Sequence, residues 1–182
     1  CIRDSNTVYF QIDESNKAPR RTLEMISELL RYQLYGGNQK VSILQEIDYL
    51  KTYIALRKLR MSERLRLRVE FPPELNELNI YPLLFLPLVE NSFKYVGGDY
   101  QLDIIMKWEN NRISLFIRNS IPELSAEDEA LRKSVDERQR KGIGLVNLRR
   151  RLSLLYPNKH RLETRKEETE FVAELMIEIE DI

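Results

Sequence analysis

Cysteine is nearly missing from the 182-residue sequence, since Cys1 is the only one. A single thiol excludes an internal disulfide framework and fits a reducing cytoplasm, where we expect this chain to be located. An excess of one charge sign is missing as well, because Lys and Arg total 29 and Asp and Glu total 29. This balance gives no electrostatic reason for a nucleic-acid or anionic-membrane surface, and we expect neither partner.

Long hydrophobic runs are missing too. The longest one, at 81–89, contains Pro82 and Pro87 and is much shorter than the roughly 20 residues that span a membrane. We therefore expect no membrane contact by this chain, while an inner-membrane anchor elsewhere in a parent protein stays open. The sequence shows no signal peptide and does not begin with methionine, so we interpret it as a piece of a larger protein.

Two helices are predicted near the start of the chain. The first begins at Pro19 and ends at Gly36-Gly37, and its apolar residues at helical spacing are Leu23, Ile26, Leu30 and Leu34. The second begins at Ser42, whose partner Gln45 completes a capping-box pattern, and its apolar stripe is Ile43, Ile47, Leu50 and Ile54. Broad apolar faces indicate a hairpin that packs on another chain or on a neighbouring domain. The alternative is that both helices simply cover the sheet of the following domain.

From Arg64 onward, alternating and helical patterns follow one another. They predict a strand at 64–71, a helix at 82–96, strands at 102–108 and 112–118 with an Asn110-Asn111 turn, a mobile charged segment at 120–141, a helix at 144–156, and a hairpin of 160–166 and 170–180. Antiparallel strands with helices on one face form an α+β fold, a two-layer sandwich. We assign 63–182 to this sandwich and 1–62 to the helical segment before it.

Three polar side chains of the helix at 82–96 share one side, because residues three and four apart are neighbours on a helix. The Asn91 carbonyl can complete the oxygen shell of Mg²⁺, which takes few protein ligands. Lys94 is a point charge for phosphate, and Tyr95 offers an apolar wall for a base. Taken alone, Asn91 is more typical of an ordinary polar helix residue and Lys94 of a solvated one.

Gly142 and Gly144 precede the next helix. Backbone without a Cβ can approach phosphate closely, and the helix N-terminus favours negative charge. A Gly-x-Gly pair alone is also typical of a simple turn that leads from a loop into a helix.

Together these motifs resemble a known family. Leu-Val-Glu-Asn-Ser-Phe-Lys-Tyr at 88–95 is similar to the N box of the GHKL (Bergerat) ATP-binding fold, which histidine kinases share with gyrase B. Gly-Ile-Gly-Leu-Val-Asn-Leu-Arg-Arg-Arg-Leu at 142–152 resembles the second glycine box of the LytS-like sensor histidine kinases. The segments 29–35 and 46–54 also resemble that branch, so the resemblance extends from about residue 19 to the end.

The resemblance implies a nucleotide site with defined roles. Asn91 would be the Mg²⁺ ligand, Lys94 a phosphate contact and Tyr95 a base or lid contact. Gly142, Gly144 and the amide of Leu145 would hold phosphate, and the segment 120–141 would be the ATP lid.

The chain departs from this family pattern at two places in the ATP site. Asn119 stands where these kinases usually carry the Asp that binds the adenine amino group, and both glycines of that box are missing. An Asn carbonyl still accepts the bond without charge assistance, so we expect weaker ATP affinity. Pro87 stands where related ATPases place a water-activating Glu, so simple hydrolysis is not expected.

The phosphoacceptor histidine is also absent. In this branch it lies in an Asn-Pro-His-Phe-type motif upstream of the region seen here, so no catalytic residue is assigned within the chain. The only histidine, His160, is expected to be an exposed turn residue.

Three functions therefore stay open. The first is the ATP- and Mg²⁺-binding portion of a histidine kinase, which is homodimeric when intact and passes phosphate to a response regulator, for instance of the LytTR type. The second is a degenerate GHKL domain that acts as a non-catalytic regulatory or interaction module. The third, a serine kinase of the anti-sigma type, fits less well, because those kinases usually retain the acidic glycine box and lack the helices at 19–62.

Overall fold

A computed structural model describes residues 16–35, 39–73, 75, 78–123 and 143–179. Its elements in chain order are α1 (Lys17–Tyr35), β1 (Val41–Ser42), α2 (Ile43–Lys58), β2 (Arg66–Glu70), β3 (Asn79–Ile80), α3 (Leu86–Tyr95), β4 (Gln101–Glu109), β5 (Arg112–Ser120), α4 (Ile143–Leu155), β6 (His160–Lys166) and β7 (Glu170–Glu178). The chain divides into two compact units. One comprises Cys1–Ser62 with Glu77–Pro82, and the other comprises Glu63–Asn76 with Leu83–Ile182.

In the first unit, α1 packs against α2 as a helical hairpin. The predicted capping box at the start of α2 is confirmed: the Ser42 N–H donates to Gln45 Oε1 at 3.1 Å, and Ser42 Oγ accepts from the Leu44 N–H at 3.3 Å. The predicted apolar stripe of α2 is buried at all four positions, Ile43, Ile47, Leu50 and Ile54. The local sequence signals therefore specify this helix correctly.

A short antiparallel ladder in the same unit was not predicted. Val41 pairs with Ile80 and Ser42 with Asn79, and the Ile43 N–H donates to the Leu78 carbonyl at 2.8 Å. Strands of two residues have no measurable period, so the sequence pattern could not indicate them.

A buried polar contact joins the two helices of the hairpin. Tyr32 Oη donates to Glu46 Oε2 at 2.7 Å, and the Glu46 side chain is fully buried. The Tyr32 ring stacks on Tyr49 with centroids 4.7 Å apart, and Gln33 Nε2 donates to Tyr49 Oη at 2.8 Å. Burial and the Glu46 carboxylate raise the pKa of Tyr32 far above its ordinary value, so its hydroxyl stays a donor.

We expect Tyr32→Phe to lower the free energy of unfolding of the chain by about 1–3 kcal/mol, because the buried Glu46 carboxylate loses a charge-assisted hydrogen bond. Urea denaturation measures the change. Gln33→Ala is the comparison, since it removes a neutral hydrogen bond to Tyr49 from an exposed side chain and should cost less, at most about 1 kcal/mol. Equal effects of the two substitutions would contradict the assignment.

The second unit contains a five-stranded sheet in the order β2-β4-β5-β7-β6, in which β2 and β4 are parallel and the other neighbours antiparallel. Helix α3 packs on β4 and β5, α4 packs on β6, and the two helices contact each other. The side chains that the sheet buries in its core include Leu102, Ile104, Met106, Ile113, Leu115, Ile117, Ala173, Leu175 and Ile177. The predicted two-layer α+β sandwich is confirmed.

The predicted turn between β4 and β5 is confirmed as well. Asn110 and Asn111 have φ values of 51° and 59°, as a two-residue type I′ hairpin turn requires at both positions. The predicted pairing of these strands follows, with Leu102 opposite Asn119 and Trp108 opposite Ile113.

The predicted start of the helix at 82–96 is wrong by four residues, because α3 begins only at Leu86. Residues 82–85 form a turn in which Leu83 has a φ of 59°, and Pro87 lies in the first helical turn, where its missing N–H costs nothing. Most of the predicted segment 120–141 lies outside the described residues. Of the helices that the structure describes, none is both long and apolar enough to cross a bilayer.

Candidate nucleotide site

Helix α3 buries one side and leaves the other partly open. Its buried residues are Leu86, Leu88, Val89, Ser92 and Phe93. Asn91 and Tyr95 are half-buried and Lys94 is exposed, so all three reach the side away from the core. The structure thus presents an amide, a cation and a phenol together on one helix face.

The Lys94 ammonium is available to an anion. Its Nζ lies 5.0 Å from the centroid of the Tyr95 ring, within the range of a cation–π contact. Within the described ranges, Lys94 makes no ion pair with a carboxylate. A phosphate oxygen would therefore not have to displace an acidic partner.

Asn119 lies near the carboxyl end of β5, opposite Leu102 on one side and Phe171 on the other. It is fully buried, and its Nδ2 donates to the Ser120 carbonyl at 3.2 Å. Nothing among the described residues donates to its Oδ1. A buried acceptor without a hydrogen bond costs roughly 1–3 kcal/mol. Asn119 is therefore suited to a ligand that brings a donor.

The end of α3 and the end of β5 are joined by hydrogen bonds. After α3 and its cap Val96, the Gly97 N–H donates to the Ser120 carbonyl at 3.0 Å, and Ser120 Oγ donates to the Gly97 carbonyl at 2.7 Å. Tyr95 lies two residues before Gly97, and Asn119 lies one residue before Ser120. The structure therefore brings Asn119 to the same end of the unit as the C-terminus of α3.

The junction was not predicted from the sequence. The only available signal was the Gly97-Gly98 pair that follows the helix. A glycine pair indicates a turn or a close backbone approach, without naming the segment approached.

The glycine motif is only partly described. Gly142 lies outside the described residues, whereas Gly144 lies exposed in the first turn of α4 and Leu145 is half-buried behind it. Within the described part of the chain, a Cβ added at Gly144 would meet no atom within 4 Å beyond its chain neighbours and the backbone of its own helix. The described residues therefore do not require glycine at this position for packing.

His160 is not the exposed turn residue that we expected. It is the first residue of β6, is half-buried, and its Nδ1 lies 2.7 Å from the Tyr156 carbonyl, to which it donates. The predicted strand at 160–166 is confirmed, so His160 belongs to the strand and not to the turn before it. The described residues contain no group of three or more His, Cys, Asp or Glu that could hold a metal ion.

Comparisons with known proteins relate the chain to sensor kinases. A family model for histidine kinases matches residues 6–65. The sensor protein kinase HptS of Staphylococcus aureus (strain USA300) is 26% identical over 161 residues, which is 86% of this chain and 31% of that protein. The chain thus spans less than a third of the length of the curated relatives it matches.

Two solved structures share the fold. One is the mycobacterial sensor histidine kinase MprB, at 13% identity and a TM-score of 0.51, over 80% of this chain and 99% of that one. The other is full-length ShkA in complex with AMPPNP, at 13% identity and a TM-score of 0.53, over 87% of this chain and 35% of that one. At this identity the likenesses bear on the fold alone, an α+β sandwich that the chain shares with these histidine kinase structures.

Proposed function

We propose that this chain, a relative of the histidine kinases, is the ATP-binding catalytic portion of a two-component sensor histidine kinase. It would transfer the γ-phosphate of ATP to a histidine upstream of the residues seen here, and from there to an aspartate of a response regulator. We infer the LytS-like branch, and a LytTR-type regulator as partner, from the motifs at 88–95 and 142–152.

The observation that carries the proposal is the buried Oδ1 of Asn119, an acceptor that receives no hydrogen bond from any described residue. The adenine base offers an exocyclic amino group as a donor. Because Nδ2 of Asn119 is held by the Ser120 carbonyl, Oδ1 is the atom left to face such a donor. An adenine amino group bound there would remove the cost of the unmade bond.

The phosphate end of the nucleotide is assigned to α3 and α4. Lys94 would contact phosphate oxygens, and Gly142, Gly144 and the amide of Leu145 would hold phosphate at the N-terminus of α4. Asn91 would be the protein ligand of Mg²⁺, whose remaining positions suit phosphates and waters. When bound, Mg²⁺ neutralises charge on the phosphates.

The chain's residues favour transfer over hydrolysis. Pro87 cannot act as a base, so nothing at that position of α3 activates water. Phosphoryl transfer relies mainly on positioning and charge stabilisation, which Lys94 and the α4 N-terminus supply. The nucleophile would come from the histidine of a preceding helix.

We infer a homodimer for the intact protein from the helical hairpin. Large apolar side chains of this unit remain exposed, namely Leu34, Leu44 and Leu59. A second copy of the hairpin would cover such surfaces. We place this chain in the cytoplasm, with ATP and the regulator as its other partners.

A non-catalytic GHKL module is the second candidate. It is favoured by the end of β5 and the residues after it, where Asn119 stands in place of the acid and Ile121 and Glu123 in place of the usual glycines. Such a module would bind nucleotide weakly or only contact proteins.

A transfer assay separates the two candidates. The full chain is mixed with Mg-ATP labelled at the γ-phosphate and with a separate polypeptide that carries the upstream acceptor helix. We expect label on the acceptor histidine and none on His160. A wild-type chain that neither binds Mg-ATP nor transfers label would favour the module, and label on His160 would overturn the assignment.

Two lysine variants sharpen this assay. Lys94→Ala should slow the transfer roughly tenfold or more, because a phosphate contact is lost. Lys107→Ala is the matched control, since Lys107 is also exposed and in no ion pair within the described part of the chain, but lies on β4. Equal rates for the two variants would exclude Lys94 from the site.

A further inference from the structure

A three-bond clasp holds the segment after α3 against the end of β5. The Gly97 N–H donates to the Ser120 carbonyl at 3.0 Å, Ser120 Oγ donates to the Gly97 carbonyl at 2.7 Å, and Ser120 Oγ accepts from the Gln101 N–H at 2.9 Å. Ser120 is buried. One hydroxyl thus connects the exit of α3, the start of β4 and the end of β5.

The two sides of the clasp are in close contact. A Cβ at Gly97 would lie 2.8 Å from Pro122 Cδ, and one at Gly98 would lie 3.0 Å from the Ile121 carbonyl oxygen. Gly98 also has a φ of 60°, in the turn that the Tyr100 N–H closes on the Gly97 carbonyl at 3.1 Å. Glycines at both positions allow the approach, and larger residues would push the segments apart.

We propose that Ser120 is a positioning residue for the nucleotide site. It does not touch the nucleotide; it holds Asn119, its neighbour in β5, in fixed register with α3. A nucleotide that meets Asn119 at its base and Asn91 and Lys94 at its phosphates must satisfy both ends at once. A displacement of about 1 Å between two such parts can cost up to 100-fold in function.

The Ser120 hydroxyl fixes the register between the end of β5 and the segment after α3. Without it, Gly97 and Ser120 share a single backbone hydrogen bond at the last residue of β5, about which the two segments can pivot. The Gln101 N–H would also lose its acceptor, which is the Ser120 hydroxyl. The regular pairing of β4 with β5 ends at Leu102 and Asn119, so the strand ladder does not supply another. Strand ends with fewer hydrogen bonds open more readily.

The inference rests on the proposed function, and serine variants of the full chain test it. We expect Ser120→Ala to weaken Mg-ATP binding roughly tenfold in calorimetric titration. This is about the effect of misplacing one hydrogen bond between the site and the nucleotide. Ser120→Thr keeps the hydroxyl and should recover most of the affinity.

Ser92→Ala is the matched control for a merely structural effect. Ser92 is also buried, and its Oγ donates to the Val89 carbonyl at 2.8 Å within α3, so the variant loses a similar bond without touching the clasp. It should lower the melting temperature without changing the affinity. Wild-type affinity in Ser120→Ala, or an equal loss in Ser92→Ala, would overturn the inference.

A second pair of variants keeps the test valid if Ser120→Ala fails to fold. Gly97→Ala should weaken Mg-ATP binding, because its Cβ collides with Pro122 Cδ and spreads the clasp. Adding Pro122→Ala removes the Cδ atom and should restore binding, and a double variant as weak as the single one would contradict the inference. If the wild-type chain itself binds no Mg-ATP, the proposed function fails first, which distinguishes the two failures.

Discussion

Gly144→Ala is expected to weaken Mg-ATP binding by about 100-fold or more while the folded chain becomes slightly more stable. Alanine is favoured over glycine in helices by roughly 0.5–1 kcal/mol, and among the described residues the added methyl group meets no atom within 4 Å beyond its chain neighbours and the backbone of its own helix. The same methyl group would stand where a phosphate must approach the amides of the α4 N-terminus. Stability and affinity should therefore change in opposite directions, measured by urea denaturation and calorimetry.

Val146→Ala is the control for this prediction. Val146 lies in the same helix, is exposed and has no assigned ligand contact, so its affinity for Mg-ATP should stay at the wild-type value. If Gly144→Ala binds as tightly as the wild type, phosphate does not sit at the start of α4. That result would leave the glycine pair as an ordinary turn into a helix.

Asn119→Leu is expected to stabilise the chain and to weaken Mg-ATP binding about 100-fold. Leucine has a similar shape and removes a buried acceptor that no described residue satisfies, so the free energy of unfolding should rise by roughly 1 kcal/mol. The Ser120 carbonyl keeps its bond from the Gly97 N–H after Nδ2 is lost. In the complex with the Leu variant, however, the amino group of the base would be buried without an acceptor. Sites built to hydrogen-bond a ligand group lose much affinity when one of the two partners is missing.

Asn119→Asp tests the same contact in the opposite direction. A carboxylate accepts a charge-assisted hydrogen bond from the amino group of the base, so the affinity for Mg-ATP should rise by roughly tenfold. Without nucleotide, the buried charge should lower the melting temperature. The account of Asn119 is wrong if the Leu variant binds as the wild type does, or if the Asp variant binds more weakly.

Much of the fold could be predicted because its signals are local. The capping box of Ser42 and Gln45, the paired asparagines at 110 and 111, and the alternation along β4 and β5 each depend on a few consecutive residues. Such signals can be recognised in a single sequence, because backbone preferences and the period of apolar side chains do not depend on distant residues.

The features that were missed depend on contacts between distant segments. The ladder of β1 and β3 joins residues almost forty positions apart, and the clasp joins Gly97 to Ser120. Neither has a pattern of its own at the sequence level. The start of α3 was misplaced for a related reason, because Pro82 and Pro87 both suit a helical first turn and only the structure distinguishes them.

The candidate site divides in the same way. Helical spacing was enough to place Asn91, Lys94 and Tyr95 on one side of α3. The sequence could indicate that Asn119 stands in the position of an acid, but the burial of its side chain and its unmade hydrogen bond are visible only in three dimensions. The central proposal is that these groups act on one nucleotide.

A calorimetric titration of the wild-type chain with Mg-ATP tests that proposal most directly. The account predicts saturable binding of one nucleotide per chain with a Kd below about 1 mM, weaker than a carboxylate at position 119 would allow. Gly144→Ala should weaken this binding about 100-fold or more. A correctly folded wild-type chain that shows no saturable binding of Mg-ATP would contradict the account.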